Sequence, residues 1–362
     1  MENKLVTVVM SAYNHGKYVA RAIESVLNQT FREIYFVVAD DASTDNTVDV
    51  LMQYENEIDE IHLYDINSGH GRCRTLILNA QTKYIAMINS DDYWERMKLE
   101  KQVAYMEKHP ECAACFTWCN EVDEEGKPSE NQVFQVGNRT KEEWMYRFWE
   151  AGNCLAHPSV LVRREIYQEL FRKNNAVFRQ LPDFNMWIKL IQNHEIHIIE
   201  EKLVTFLHHK SNVSQNVSEP NADNLARDHM ETEYIWYRMV KEMRPDYFKK
   251  VFGKIMINPQ AESQEEILCE KFFVMYRSPI PGIQTAAIKF YYDVFEDERA
   301  YQVLKEKYGY YNKDFHRTDV QIGYGKELKN TYMLRQKLLE LLASAENLLT
   351  LRGENMNPNK QA

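Results

Sequence analysis

The chain has 362 residues, with 44 Lys and Arg against 54 Asp and Glu, a formal net charge of −10. That length allows roughly two domains with a proper core, and 44% hydrophobic with 27% charged residues excludes wholesale disorder. The acidic balance argues against a nucleic-acid binder, which needs a basic stripe to displace counterions from phosphates.

Residues 6–10, Val-Thr-Val-Val-Met, form a short apolar run rich in β-branched residues, the pattern of a strand buried on both faces. An amphipathic helix is expected over 15–29, with Val19, Ala22, Ile23, Val26 and Leu27 on one stripe. A second buried strand over 34–39 ends at Asp40 and Asp41, and Ser43, Thr44 and Asp45 offer N-caps for a helix carrying Val48, Leu51 and Met52. Strands over 61–64 and 84–88 flank a helix over 72–80, and this alternation predicts a helix-covered, mostly parallel α/β sheet. A further strand over 112–121 precedes a turn at 124–128 and helices over 141–150, 163–171 and 184–192. From about residue 225 strand signals fade, so the chain divides into an α/β domain over 1–220 and a helical region over 221–362 that binds an acceptor or partner, or dimerises. Leu334, Leu338, Leu341, Ala345 and Leu348 follow heptad spacing for about two heptads, which suits either self-packing or a homodimer seam, and the polar tail after Arg352 is expected to fray. No apolar run reaches the ~18 residues of a membrane helix, and Met1 to Leu5 leads straight into the first strand and not into a signal peptide. The expected location is the cytoplasm, including the inner face of the membrane.

Two acidic pairs follow buried strands: Asp40-Asp41, and Asp91-Asp92 within Asn89-Ser90-Asp91-Asp92-Tyr93-Trp94. In open α/β sheets ligands bind beyond the carboxyl ends of the strands. Two carboxylate pairs brought to one edge would repel unless a cation offsets them, and Mg²⁺ or Mn²⁺ with oxygen ligands brings phosphates with it. Acids after strands also serve as plain caps and turn formers. Cys112, Cys115 and Cys119 lack a fourth ligand of suitable spacing, so they read as small strand residues and not as a zinc site.

The wording around those pairs carries more. Val8-Val9-Met10-Ser11-Ala12-Tyr13-Asn14, Ala22-Ile23-Glu24-Ser25-Val26-Leu27-Asn28-Gln29-Thr30, Val37-Val38-Ala39-Asp40-Asp41-Ala42-Ser43-Thr44-Asp45 and Ile85-Ala86-Met87-Ile88-Asn89-Ser90-Asp91-Asp92 resemble, in order and spacing, the family 2 glycosyltransferases. The resemblance spans roughly residues 5–215. It implies a GT-A (Rossmann-like) fold and inverting transfer of a sugar from a nucleoside-diphosphate donor, most simply UDP-linked. The implied acceptor is a glycan, lipid-linked or protein hydroxyl in bacterial surface-glycan-type biosynthesis.

By resemblance, Ala12, Tyr13 and Asn14 lie beside the nucleotide, and Asp40 accepts a hydrogen bond from the base imide. Arg74, after Gly69-x-Gly71, stands near the donor phosphates. Asn89, Asp91 and Asp92 correspond to the acidic motif that meets ribose, pyrophosphate and the Mn²⁺ or Mg²⁺ ion, with Asn in the first acid's place. Asp183, in Leu181-Pro182-Asp183-Phe184, corresponds to the general base, with Pro182 where the family has Glu. The same Asp can simply cap the helix that starts there, a position expected to depress its pKa. His209, with His208 as the spare, corresponds to a loop histidine near the metal, while His157 and Trp187 are expected near sugar or acceptor. A nucleotidyltransferase would carry a Gly-, Arg- and Lys-rich loop after the first strand, which Ser11-Ala12-Tyr13-Asn14-His15-Gly16 is not. A catalytically degenerate donor-binding subunit is the other alternative that Asn89 and Pro182 leave open.

Overall fold

The computed structural model describes residues 4–69, 72–130, 132–173, 178–209 and 222–355, the side chains of 222, 324 and 343–355 excepted. The chain forms two compact units, Met1–Glu231 and Thr232–Ala362. The first is built on strands β1 (Val6–Ala12), β2 (Ile34–Asp40), β3 (Glu60–Leu63), β4 (Tyr84–Asn89), β5 (Tyr93–Trp94), β6 (Cys112–Asp123), β7 (Leu161–Arg163) and β8 (Glu195–His208). They make one sheet in the order β3-β2-β1-β4-β7-β6-β8-β5. β3, β2, β1 and β4 run parallel, β7 is antiparallel to both β4 and β6, and β6 pairs in parallel with β8. The fold is thus the expected mostly parallel sheet flanked by helices.

The helices of this unit are α1 (Val19–Leu27), α2 (Thr47–Met52), α3 (Arg72–Asn79), α4 (Lys98–Lys108), α5 (Lys141–Ala151), α6 (Arg164–Lys173) and α7 (Pro182–Asn193). Val6, Val8 and Met10 of β1, with Ala22, Ile23 and Val26 of α1 and Leu99, Val103 and Met106 of α4, belong to one buried cluster on the sheet. The near-continuous burial of β1, β2 and β4 explains their unbroken apolar reading, since helices cover both faces of a parallel sheet.

Helix α1 starts at Val19, later than the periodicity of 15–29 predicts. Side chains from the turn after β2 hold the preceding segment: the amides of Asn14, His15 and Gly16 donate to Ser43 Oγ (2.9 Å), Thr47 Oγ1 (2.9 Å) and Asp45 Oδ2 (3.0 Å). A Cβ at Gly16 would lie 2.0 Å from Asn46 Oδ1, so a larger residue there must displace the Asn46 side chain. The short β5 and β7 went unforeseen, being too brief for a period to register.

Helix α8 (Ala222–Glu242) carries the chain into the second unit, so the division falls inside a helix and not in the polar stretch at 215–225. That unit holds α9 (Pro245–Phe252), α10 (Gln264–Tyr276), α11 (Pro281–Val294), α12 (Glu298–Tyr308), α13 (Asn312–Thr318) and α14 (Gly323–Asn355). Its core is aromatic: Phe272 of α10 meets Tyr291 and Phe295 of α11, and Tyr291 stacks on Phe315 at 3.7 Å between ring centroids. Helix α14 continues through Arg352 to Asn355 instead of ending where polarity rises, and 356–362 lie outside the described residues. None of the helices among the described residues is long and apolar enough to cross a membrane.

Candidate active site

The pairing register sets Ala12 of β1 beside Asp40 of β2, and Ser11 of β1 beside Asn89 of β4, so these three strands end at one edge. Asp40 and Asp91 are buried there, while Tyr13 stands 44% exposed just beyond. The Ala12 side chain is buried, and its carbonyl accepts from the Asp41 amide at 2.9 Å, so only its main chain borders the edge. Asn14 adopts a left-handed backbone (φ 51°), with its Oδ1 accepting from the Thr44 amide at 2.8 Å. Asn tolerates that conformation better than most residues.

The turn after β4 separates two neighbouring carboxylates into different roles. Asp91 Oδ2 lies 3.0 Å from His209 Nε2 and 3.9 Å from His15 Nε2. Tyr18 stacks on the His209 ring with centroids 4.5 Å apart, and its hydroxyl donates to Glu124 at 2.7 Å. Burial lowers the pKa of His15 against the opposing charge of Asp91, so this imidazole is neutral at pH 7. A cleft of about 180 Å³ opens beside Asp91, lined also by Lys17, Tyr18, Arg21, Tyr93 and Glu124.

Asp92 faces the other way. Its Oδ1 accepts from the Leu207 amide and its Oδ2 from Asn89 Nδ2, both at 2.9 Å, and it is 1% exposed. Burial, then the Asp91 charge, pushes its pKa well up. The expected metal role of Asp92 is therefore corrected: the carboxylate ties β4 to β8 and does not join the His15–Asp91–His209 group. Asn89 makes physical sense in this setting, because its amide donates to Asp92 where a third carboxylate would repel. Its Oδ1 also lies 3.3 Å from His157 Nδ1, so both ends of the side chain face inward.

At the end of β2, Asp40 accepts from the amide and hydroxyl of Ser43 at 2.9 and 2.5 Å. Asp41 accepts from Ser68 and from Arg72 Nε, the latter at 2.9 Å, and Arg72 lies over the Tyr64 ring. Arg74, the cation expected at the phosphates, instead donates through Nη2 to the Phe171 carbonyl at the end of α6. Arg72 is thus the arginine brought to the acidic edge, two residues from the one that the family resemblance singled out. Gly71 lies outside the described residues.

Asp183 occupies the second position of α7. Its Oδ1 accepts from the Phe184 amide (2.8 Å) and its Oδ2 from Asn153 Nδ2 (3.0 Å). Crowding by protein pushes its pKa up to about 6, outweighing both hydrogen bonds. The expected depression by the cap position is corrected accordingly. Glu231 of α8 holds the approach to this helix, accepting from the amides of Arg179, Gln180 and Leu181 at 2.7, 2.9 and 2.8 Å.

Three sequence expectations for sugar or metal contacts fall elsewhere. Trp187 is fully buried, edge-on to Phe116 at 4.9 Å, and so is core instead of a stacking platform for an acceptor. His157 is held close to neutral by burial, with its pKa lowered to about 4, and sits between Asn89 and Trp187. His208 turns to Glu121 at 3.2 Å, which leaves His209 as the site histidine. His15, Arg72, Asn153 and Glu231 were not anticipated; His15 alone carried a signal, lying directly after the Tyr13-Asn14 segment. Among the described residues, His15, Asp91 and His209 are the only group of three or more His, Cys, Asp or Glu side chains whose donor atoms could share a metal ion, and no cysteine belongs to it. All six cysteines are free thiols.

Residues 7–171 match the family profile described as Glycosyl transferase family 2. An uncharacterized glycosyltransferase of Methanocaldococcus jannaschii is 30% identical over 269 residues, which cover 70% of this chain and 86% of that protein. An Escherichia coli relative named UDP-Glc:alpha-D-GlcNAc-diphosphoundecaprenol beta-1,3-glucosyltransferase WfaP is 32% identical over 109 residues, 29% of this chain and 42% of its own. The crystal structure of Staphylococcus aureus TarS 1-349 in complex with UDP-GlcNAc superposes with a TM-score of 0.54 at 17% identity, covering 85% of this chain and 93% of that one. At that identity the likeness shows a common fold.

Proposed function

This chain belongs to the family 2 glycosyltransferases, and we propose that it transfers a sugar with inversion from a UDP-linked donor to an acceptor hydroxyl in bacterial surface-glycan synthesis. The observation that carries this reading is the pairing of two unlike acidic sites in one unit. Asp91 sits with two imidazoles at the strand ends, and Asp183 sits apart with its pKa raised to about 6.

In this reading Asp183 takes the acceptor hydroxyl's proton as the acceptor oxygen attacks the anomeric carbon. The bond to the donor diphosphate breaks on the opposite face, and UDP leaves with that electron pair. A base near the working pH suits this task better than an ordinary carboxylate. Asn153 fixes the carboxylate's orientation, and the Glu231 clamp fixes the helix start that carries it. Asp40 favours a base with an imide N–H, which supports uracil. Asp91 and His209 fit a divalent cation, since a buried carboxylate oxygen and an imidazole nitrogen already lie 3.0 Å apart. Bound there, Mn²⁺ or Mg²⁺ would offset the charge developing on the departing diphosphate.

The acceptor is a glycan, lipid-linked or protein hydroxyl, reached at the cytoplasmic face of the membrane, and the relative named for a diphosphoundecaprenol acceptor supports the lipid-linked case. We further propose a homodimer through α14, on which Leu334, Leu338 and Leu341 are 65%, 61% and 63% exposed along one seam. Ala345 and Leu348, which share the heptad spacing in the sequence, lie outside the described side chains.

The test of the reaction is an Asp183→Asn variant assayed for transfer and for UDP binding by calorimetry. Loss of transfer with donor binding intact supports the reading, and transfer at the wild-type rate refutes Asp183 as base. The dimer is tested by light scattering on the full chain and a Leu338→Ser/Leu341→Ser variant, where an unchanged mass refutes the seam.

A further inference from the structure

We propose that His15 is a ligand of the donor-site cation, completing with Asp91 and His209 a set of two imidazole nitrogens and one carboxylate oxygen that selects a first-row transition ion over Mg²⁺. The inference rests on the cation reading above and deepens it by naming the third ligand and the class of ion.

Geometry carries the first step. Ligand atoms about 2.1 Å from one octahedral ion lie about 3.0 Å from adjacent ligand atoms and about 4.2 Å from the opposite one. Asp91 Oδ2 is 3.0 Å from His209 Nε2 and 3.9 Å from His15 Nε2, and the three donor atoms all fall within 4.8 Å of one another. A separation of 3.9 Å is too long for a hydrogen bond, so His15 is not placed here by bonding to Asp91. It is placed from its other side. Nδ1 lies 2.8 Å from Ser90 Oγ, which orients the ring and directs Nε2 at the carboxylate. Metal-ligating histidines are regularly held in this way through the second nitrogen. The His15 backbone is fixed as well, by its amide's bond to Thr47 Oγ1 and by the close approach at Gly16.

Donor chemistry carries the second step. Mg²⁺ prefers hard oxygen ligands, whereas imidazole suits transition ions. The oxygen groups that would harden this site are engaged elsewhere: Asp92 bonds Leu207 and Asn89, Asn89 offers an amide in place of a carboxylate, and Glu124 of the same cleft accepts from Lys17 and Tyr18. Among the described residues one carboxylate and two imidazoles remain to face a shared ion, and diphosphate oxygens would take other positions on it.

The experiment titrates Mn²⁺ and Mg²⁺ into the full chain in the presence of UDP, for wild type and for His15→Gln, and records pulsed EPR spectra of the bound Mn²⁺. Expected are tighter binding of Mn²⁺ than of Mg²⁺ to wild type, nitrogen coupling from two imidazoles, and in His15→Gln one imidazole with about tenfold weaker Mn²⁺ binding. An unchanged Mn²⁺ affinity or two-nitrogen spectrum in His15→Gln overturns the proposal while the donor reading stands. Should that variant not fold, the wild-type spectrum decides, since a single imidazole nitrogen there refutes His15 as ligand. If wild type binds UDP without any dependence on Mn²⁺ or Mg²⁺, the cation reading itself fails.

Discussion

The two units bury charged groups in different ways, and the difference separates structural from functional burial. In the helical unit each such group meets backbone ends. Glu270 accepts from the amides of Ile257 (2.8 Å) and Asn258 (2.7 Å), and Lys271 donates to the carbonyls of Lys241 (2.9 Å) and Met243 (2.6 Å). Glu266 completes a capping box with Ser263 and also accepts from Lys307 Nζ at 2.6 Å. In the sheet unit Asp92 accepts from the Leu207 amide and Asn89, and Asp183 from the Phe184 amide and Asn153, one backbone and one side-chain donor each, whereas Asp91 faces two histidines. A buried charge matched to backbone groups is part of the framework, because satisfying those groups is required wherever they are buried. A buried charge facing other side chains, or none, invites a ligand or a reaction.

Asp183→Asn gives the sharpest break. General-base groups contribute about 10²- to 10⁴-fold, so transfer should fall by about that factor while UDP affinity holds. The wild-type rate carries a pH signature of the same carboxylate. With its pKa at about 6, kcat/KM should fall about tenfold per pH unit below 6 as the base becomes protonated, and level off above it. An acid limb near pH 4 would show that the crowding around Asp183 does not tune it.

Glu270→Ala tests the other side of the comparison. It leaves two buried amides without an acceptor, which costs about 3 kcal/mol of stability, read as a lower denaturant midpoint, while UDP affinity is unchanged. A loss of UDP affinity with stability intact would contradict the division drawn above. Glu231→Gln tests the case between them, a framework residue that serves the site. One of its oxygens becomes an amide facing N–H donors, the helix start shifts, and kcat should drop about tenfold with KM for the donor unchanged. Equal loss in both constants would point to collapse of the unit instead of misplacement of Asp183.

What the sequence made legible follows the same line. Strand–helix alternation and the acids at strand ends are local patterns, and β1, β2, β4 and Asp91 were readable from them, whereas Asp183 was singled out by the family resemblance of its segment. His15 meets Ser90 across 75 positions, and Glu231 meets Leu181 across 50, so both pairings exist only once the chain folds. Trp187 misled for a related reason: an aromatic near a site and an aromatic beneath it look identical in one dimension. Asn89 and Asp92 misled because a motif names residue types without their partners. The Asn that looked like a damaged metal ligand is the donor that keeps Asp92 in place.

Lys98 is the smallest test and the one that presses the comparison hardest. It lies in the sheet unit, fully buried, with Nζ 2.9 Å from Gln102 Oε1 and 3.9 Å from the Trp94 ring centroid. It neither caps a backbone end nor belongs to the site, and burial lowers its pKa to about 7. The folded pKa is below the unfolded value of about 10.4, so the penalty for burying the ammonium is full below pH 7. Between pH 7 and about 10.4 the unfolded chain binds more protons than the folded one, and stability rises with pH as that penalty fades. Lys98→Met keeps the length of the side chain and removes the charge. It should stabilise the protein by about 1 kcal/mol at pH 6.5, read as a higher melting temperature, with the gain shrinking toward pH 10. A variant less stable than wild type at pH 6.5 would mean that the Gln102 and Trp94 contacts outweigh the burial of charge, and Lys98 would join the framework group.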